Sequence, residues 1–405
     1  MDDHCYSGAV CEGPTSLIHL YGVVMVATGG RHTCAVVRME TSDIVKCWGA
    51  NDNGQLGTGT TAESRTPVDV VGIGGMRVTV LTAGSDHTCV LLETGEVRCW
   101  GANNRGQLGD GSTAASSNVP RPVAVPGGEN VIAIASGQSH NCLLSDGGHV
   151  YCWGYNEFGQ VGDGVMPPPD EYLTPTRVTS LSGSVTAVDA GGNHSCALND
   201  AGAVQCWGAN DSGQLGNDVT TPLINASPVS VVEGSGLTTR LTGVQSIALG
   251  FSHTCALMND SRVKCWGWNA NGQLGVGSNN DHHAPVFVQA SPGSDLAGVS
   301  TVFPGGYHTC AVMGDTRAMC WGKNMDGQLG DGSSGGGTDR LYPVEVKEDS
   351  TTVFTGVWAM DAQAVHTCAI INTNQLFCWG ENASGQLGTG MSSDEVYPAQ
   401  VACGP

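Results

Sequence analysis

Positive charge is what this sequence has least of: 16 Lys and Arg stand against 37 Asp and Glu, a formal charge of −21 over 405 residues. No run of Lys or Arg occurs in it. Nucleic-acid binding needs such side chains to displace counterions from phosphate, and a surface this acidic repels phosphate on average, so no nucleic-acid partner is expected. The acidity points instead to solubility or to a basic protein partner. No apolar run approaches the about 20 residues that cross a bilayer, so no membrane insertion is expected. The opening Met1-Asp2-Asp3-His4 lacks the basic and apolar regions of a signal peptide. Two expectations remain, a cytosolic protein or a processed form of an exported one, and the cysteines have to decide. Catalytic signatures are missing too. There is no phosphate loop and no G-x-G-x-x-G set between a strand and a helix, and no acid pair stands out. The chain is expected to be no enzyme and to carry no cofactor and no metal.

What is abundant is glycine, at 60 residues, with 17 cysteines. Many glycines and few charged residues favour a turn-rich β protein. An H-x-C triplet recurs seven times, at His32, His87, His140, His194, His253, His308 and His366. Each copy is followed by C-W-G and then by N-x-x-G-Q-L-G, as in Asn51 to Gly57; the third copy reads Gly159-Gln160-Val161-Gly162. Successive H-x-C cysteines lie 53 to 59 residues apart. Around these landmarks four short strands can be read per copy: a P-x-x-V segment such as Pro67 to Val70, an apolar segment such as Val131 to Ala135, H-x-C-A-L, and V-x-C-W-G.

This constellation resembles the regulator-of-chromosome-condensation (RCC1-like) repeat family, over roughly residues 21 to 402. The resemblance implies an all-β, seven-bladed β-propeller of four-stranded antiparallel blades. It also implies a closing blade built from three N-terminal strands and one C-terminal strand, Tyr397 to Val401. Residues 1–20 are then an N-terminal extension with two cysteines, 21–402 a single propeller and 403–405 a tail. The secreted bacterial members are the type that the cysteines favour.

In six copies the two blade cysteines are ten residues apart, and in the first thirteen. A three-residue turn at 146–148 pairs Ser145 with His149 and brings Cys142 opposite Cys152, with Leu144 and Val150 on the same face. Directly opposed Cβ atoms are close enough for a disulfide after modest adjustment. The expected pairs are Cys34–Cys47, Cys89–Cys99, Cys142–Cys152, Cys196–Cys206, Cys255–Cys265, Cys310–Cys320 and Cys368–Cys378. The alternative is fourteen buried thiols serving as small apolar groups. Disulfides belong to oxidising compartments, so the paired spacing points to a secreted, periplasmic or cell-surface protein. Cys5, Cys11 and Cys403 fall outside the blades and are candidates for a terminal or an intersubunit bond.

A histidine repeated in every unit serves the unit, and a ring of them cannot converge on one metal ion. Each is expected to cap a strand or bond loop backbone. Asn51-Asp52-Asn53-Gly54 and Asn324-Met325-Asp326-Gly327 lack the carboxylates and the terminal Glu of a calcium loop. The C-W-G tryptophans are expected to pack between blades with the indole N–H bonded locally.

Function is sought where copies differ. After C-W-G stand Ala50, Ala102, Tyr155, Ala209, Trp268, Lys323 and Glu381; within N-x-x-G the third copy has Phe158 and the sixth Met325. Tyr155, Phe158, Trp268 and Met325 thus occupy equivalent loops on one face of the ring. Tyr172, in the proline-rich insert Met166 to Tyr172, is a further candidate. The expected function is a non-catalytic extracellular or envelope protein-binding propeller using this loop face. The alternatives are a self-assembling surface or filament subunit joined through its termini, and a carbohydrate-binding lectin.

Overall fold

The computed structural model describes residues 11–12, 19–236 and 238–403. Seven four-stranded antiparallel sheets follow one another along the chain. We number them blades 1 to 7. Their innermost strands are Val23–Thr28, Val78–Ala83, Val131–Ser136, Val185–Ala190, Val244–Leu249, Val299–Pro304 and Val357–Gln363. Outward from each come the H-x-C strand, the C-W-G strand and the outer strand. In blade 3 these are His140–Ser145, Val150–Tyr155 and Glu171–Arg177.

The closing blade differs from the expectation. No blade combines N-terminal and C-terminal strands among the described residues. The segment after each N-x-x-G-Q-L-G turn folds back onto the C-W-G strand of its own blade, pairing Cys47 with Val68 in blade 1 and Cys378 with Ala399 in blade 7. The expected first strand of a unit is therefore the last strand of the preceding blade. The apolar N-terminal strand is innermost and needs nothing before it. The ends still meet, beside the last blade rather than within it: Leu20 N–H donates to Val401 O at 3.0 Å, and His19 bridges Ala402.

Strand alternation gives every blade one cysteine-bearing face and one tryptophan-bearing face. Neighbours stack unlike faces. Between blades 1 and 2 the core joins Cys34, Val36, Val45 and Cys47 to Val90, Leu92 and Trp100. Between blades 7 and 1 it joins Cys368, Ile370, Leu376 and Cys378 to Ala35, Val37 and Trp48. All seven tryptophans of C-W-G are fully buried. The hairpin register places Cys142 opposite Cys152 and Leu144 opposite Val150. Disulfides join Cys34–Cys47, Cys89–Cys99, Cys142–Cys152, Cys196–Cys206, Cys255–Cys265, Cys310–Cys320 and Cys368–Cys378. Cys403 is disulfide-bonded as well. Cys5 lies outside the described residues, as does the Cys11 side chain.

Candidate functional site

The repeated polar residues join blades to each other. Each H-x-C histidine sends Nε2 to the residue between His and Cys in the next blade: His32 to Thr88, His87 to Asn141, His140 to Ser195, His194 to Thr254, His253 to Thr309 and His308 to Thr367, at 2.8–2.9 Å. That next-blade side chain donates to the carbonyl of the Gln in G-Q-L-G, as Thr88 does to Gln55 O at 3.1 Å. The same carbonyl accepts the next tryptophan, Trp100 Nε1 to Gln55 O at 2.8 Å. The hydroxyl's one proton goes to the carbonyl, so the imidazole donates from Nε2. Burial holds these imidazoles far below the usual 6.5, at about 3, and His87 at about 4; they are neutral.

The sequence reading of these groups as local caps is thus corrected. Their partners lie in a neighbouring blade, 45 to 60 residues away in the chain except where blade 7 meets blade 1, and spacing gives no clue to them. A close approach makes room for the ring: a Cβ on Gly29 would overlap the His32 imidazole, and Gly84 stands likewise to His87.

The loops entering the H-x-C strands and leaving the C-W-G strands share one face of the ring. Its repeat positions are the two residues before each His, the residue after C-W-G, and N-x-x-G. Blade 3 presents Tyr155 and Phe158 edge to face, centroids 6.0 Å apart, with the Arg105 guanidinium 4.9 Å from the Tyr155 ring. The Tyr155 hydroxyl donates to Glu157. Trp268 belongs to a second group. It packs on Tyr307 at 5.5 Å, Tyr307 packs on Phe251 at 5.6 Å, and Lys323 Nζ lies 5.2 Å from the Tyr307 ring centre. Met325, on the same blade as Tyr307 and Lys323, is 51% exposed.

Two aromatic groups, on blade 3 and on blades 5 and 6, thus replace the single patch that the sequence suggested. Blade 4 separates them with Asn193, Ala209 and Asp211 at the equivalent positions. Tyr172 joins neither. It is half-buried against the cores on both sides of blade 3, and its hydroxyl donates to Asp163. Sequence reasoning missed Phe251 and Tyr307 because copies were compared after C-W-G and not before H-x-C. There the seven copies read Gly30-Arg31, Ser85-Asp86, Gln138-Ser139, Gly192-Asn193, Phe251-Ser252, Gly306-Tyr307 and Ala364-Val365.

The innermost strands enclose an axial cavity of about 420 Å³. Its walls mix apolar side chains with polar ones, among them Thr82, Asp189, Asp361 and Gln363. Both carboxylates tie neighbouring blades. Asp189 accepts Leu249 N–H at 2.8 Å, and Asp361 accepts the Thr28 backbone N–H and hydroxyl at 2.6 and 2.8 Å. Burial pushes the Asp189 carboxyl up to about 7, against the pull of two backbone donors.

A family profile described as an RCC1-like domain matches residues 5–360, and the regulator of chromosome condensation (RCC1) repeat matches residues 373–404. The chain belongs to the RCC1-like family. Over 383 residues it is 31% identical to the ultraviolet-B receptor UVR8 of Arabidopsis thaliana, covering 93% of this chain and 81% of that protein. Among solved structures, human WBSCR16 superposes with a TM-score of 0.76 at 23% identity, covering 89% of this chain and 94% of the other. Prp20p of Saccharomyces cerevisiae superposes at 0.73 and 22%, covering 88% and 85%. At those identities the two structures speak for the shared fold. In this RCC1-like chain the repeated residues hold blades together, so individual function rests on what varies between copies.

Proposed function

We propose that this chain is a non-catalytic protein-binding propeller that works outside the cytosol and engages its partner through the loop face of blades 5 and 6. The observation that carries the reading is the group Phe251, Trp268, Tyr307 and Lys323, assembled at positions where the other copies hold mostly small or polar residues. Large rings gathered on a loop face suit a contact surface. The related fold of Prp20p is described with binding to Gsp1p and histones, and a role as a protein-binding platform is taken over from it here in that general sense only. Seven disulfides support an oxidising compartment, such as the cell surface, the periplasm or the medium.

Capture from envelope or extracellular material tests the reading. Wild-type protein and the double variant Trp268→Ala, Tyr307→Ala are compared, both checked for folding by circular dichroism. The expected result is a partner held by the wild type and lost by the variant. Equal capture by both refutes the use of this face.

A second reading, a self-assembling surface or filament subunit, rests on the odd total of 17 cysteines, which leaves at least one outside any pair within the chain. A ladder of disulfide-linked oligomers on a non-reducing gel would favour it.

A further inference from the structure

The glutamine of G-Q-L-G is built the same way in all seven blades up to its last atom. Its side-chain Oε1 accepts the backbone N–H two residues earlier, at 2.7–3.0 Å. The Nε2 amide is left to find an acceptor on the loop face. In five blades it does so: Gln55 donates to Asp86, Gln107 to Asn104, Gln160 to Asn193, Gln214 to Asp211 and Gln386 to Glu381. These acceptors come from three repeat positions. They are the residue before the next blade's H-x-C, the residue after the Asn of N-x-x-G, and the residue after C-W-G.

Blades 5 and 6 have no carboxylate or amide at any of the three. Gln273 meets Tyr307, Ala270 and Trp268 there, and Gln328 meets Val365, Met325 and Lys323. Both glutamines are 0% exposed, and both Nε2 atoms lack a partner among the described residues. The two blades are neighbours. Gln273 lies against Gly322, its Cα 3.1 Å from where a Gly322 Cβ would sit, and Lys323 follows directly. In blades 5 and 6 the aromatic, apolar and cationic side chains at these positions thus leave a buried donor unmatched, whereas in blade 3, which carries Tyr155 and Phe158, Asn193 still supplies the acceptor. An unmatched buried donor is unfavourable in the free protein, and a ligand that supplies the acceptor removes that cost.

The surroundings select the acceptor. Glu381 carries a raised pKa, from burial first and then from Asp326 and Asp394, so negative charge is already crowded beside blade 6. The ammonium of Lys323 lies over the Tyr307 ring. A neutral oxygen fits better than a carboxylate. The rings pack edge to face on each other, at 73° and 77°, so they form an irregular apolar surface rather than one flat platform for a sugar.

We propose that the loop face of blades 5 and 6 is a subsite for an apolar side chain together with its flanking peptide carbonyls, carried on a protruding loop of the protein partner. The carbonyls take up the Gln273 and Gln328 amides as Trp268, Tyr307 and Met325 move aside. The inference rests on the protein-binding reading and adds the chemistry of the bound segment.

The probes are N-acetyl-leucine methylamide, N-acetyl-glutamate and methyl α-glucopyranoside, each titrated into the intact chain. The Trp268 indole and glutamine side-chain amides are followed by NMR. The decisive variant is Ala270→Asp with Met325→Asp, which restores the acceptor that Asp211 supplies in blade 4. The expected result is saturable shifts with the leucine amide alone and at least ten-fold weaker binding in the variant. The variant's Tm should also rise, by about 2 °C. Binding of the glutamate or the glucoside instead, no saturable shift, or a variant that binds as well as the wild type each overturns the proposal. If the leucine amide fails while partner capture still depends on Trp268 and Tyr307, the carbonyl subsite falls and the protein-binding reading stands.

Discussion

His366 in the last blade and Thr33 in the first are 333 positions apart in sequence, yet His366 Nε2 lies 2.8 Å from Thr33 Oγ1. This bond completes a circuit that runs through every blade. Thr33 also donates to Gln386 O at 2.8 Å, where Trp48 Nε1 arrives at the same distance. At six junctions the chain itself links the neighbours. At this seam side-chain bonds, the Asp361–Thr28 contact and the short pairing of Leu20 with Val401 do that work.

Thr33→Val should therefore differ from Thr254→Val, although each removes one hydroxyl from an equivalent site. Either change leaves an imidazole donor unmatched in the core, a loss of about 1–3 kcal/mol. Only Thr33→Val weakens a junction that no peptide link backs up. Hydrogen exchange should then speed up at Val23–Thr28 and Val357–Gln363 in that variant, and stay local in Thr254→Val. Matching exchange patterns would show that the seam is no weaker than the other junctions.

The circuit also sets the response to acid. The seven imidazoles titrate at about 3 to 4 in the native protein and near 6.5 when unfolded. Between those values the unfolded chain binds protons that the native state refuses. Stability is thus held above pH 6.5 and lost as pH falls toward 3, by up to about 1.4 kcal/mol per pH unit for each histidine. A thermal series from pH 7 to 4 should show a steep fall in Tm, and His253→Gln should make it shallower. A Tm flat across that range would contradict the neutral circuit.

Much of this architecture was legible in the residues. Seven H-x-C and C-W-G pairs announce seven hairpins, and the turn at 146–148 is enough to set Cys142 against Cys152. The phase of the repeat was not legible. A periodic sequence reads the same from any starting strand, and only the pairing of Cys47 with Val68 tells which blade owns the outer strand. The partners of His32 and Trp100 were hidden for a related reason, since both bonds cross between blades and their spacing follows loop length. Of the loop face, Trp268 and Met325 stood out as departures from their copies. Tyr172 looked equivalent in kind, but its ring packs on the cores at both sides of blade 3 and its hydroxyl is bonded to Asp163.

The disulfides should stabilise separately, because each closes its own hairpin within one blade. Under the chain-entropy account each contributes about 2–3 kcal/mol. Cys142→Ala with Cys152→Ala should lower stability by about that amount and leave the other six pairs oxidised, as intact mass with thiol alkylation would read. Full reduction should lower it far more. A double variant that unfolds outright would show instead that blade 3 depends on its bond for folding.

Asp189 has the opposite sign to the histidines. Its carboxyl rises from 3.8 to about 7 in the native protein, because the axial cavity surrounds it and Asp361 adds like charge. Between those values the native state holds a proton that the unfolded chain has released. Its contribution is thus present at low pH and is lost as pH rises through about 7. Asp189→Asn removes this titration, and it also costs one acceptor, since Ala190 N–H and Leu249 N–H occupy different carboxylate oxygens. The variant should be less stable than the wild type near pH 5, and the gap should narrow toward pH 8. Thermal unfolding of both proteins at the two pH values reads the difference directly. A gap that widens with pH would mean that Asp189 is an ordinary ionised carboxylate, held by its two backbone donors despite its burial.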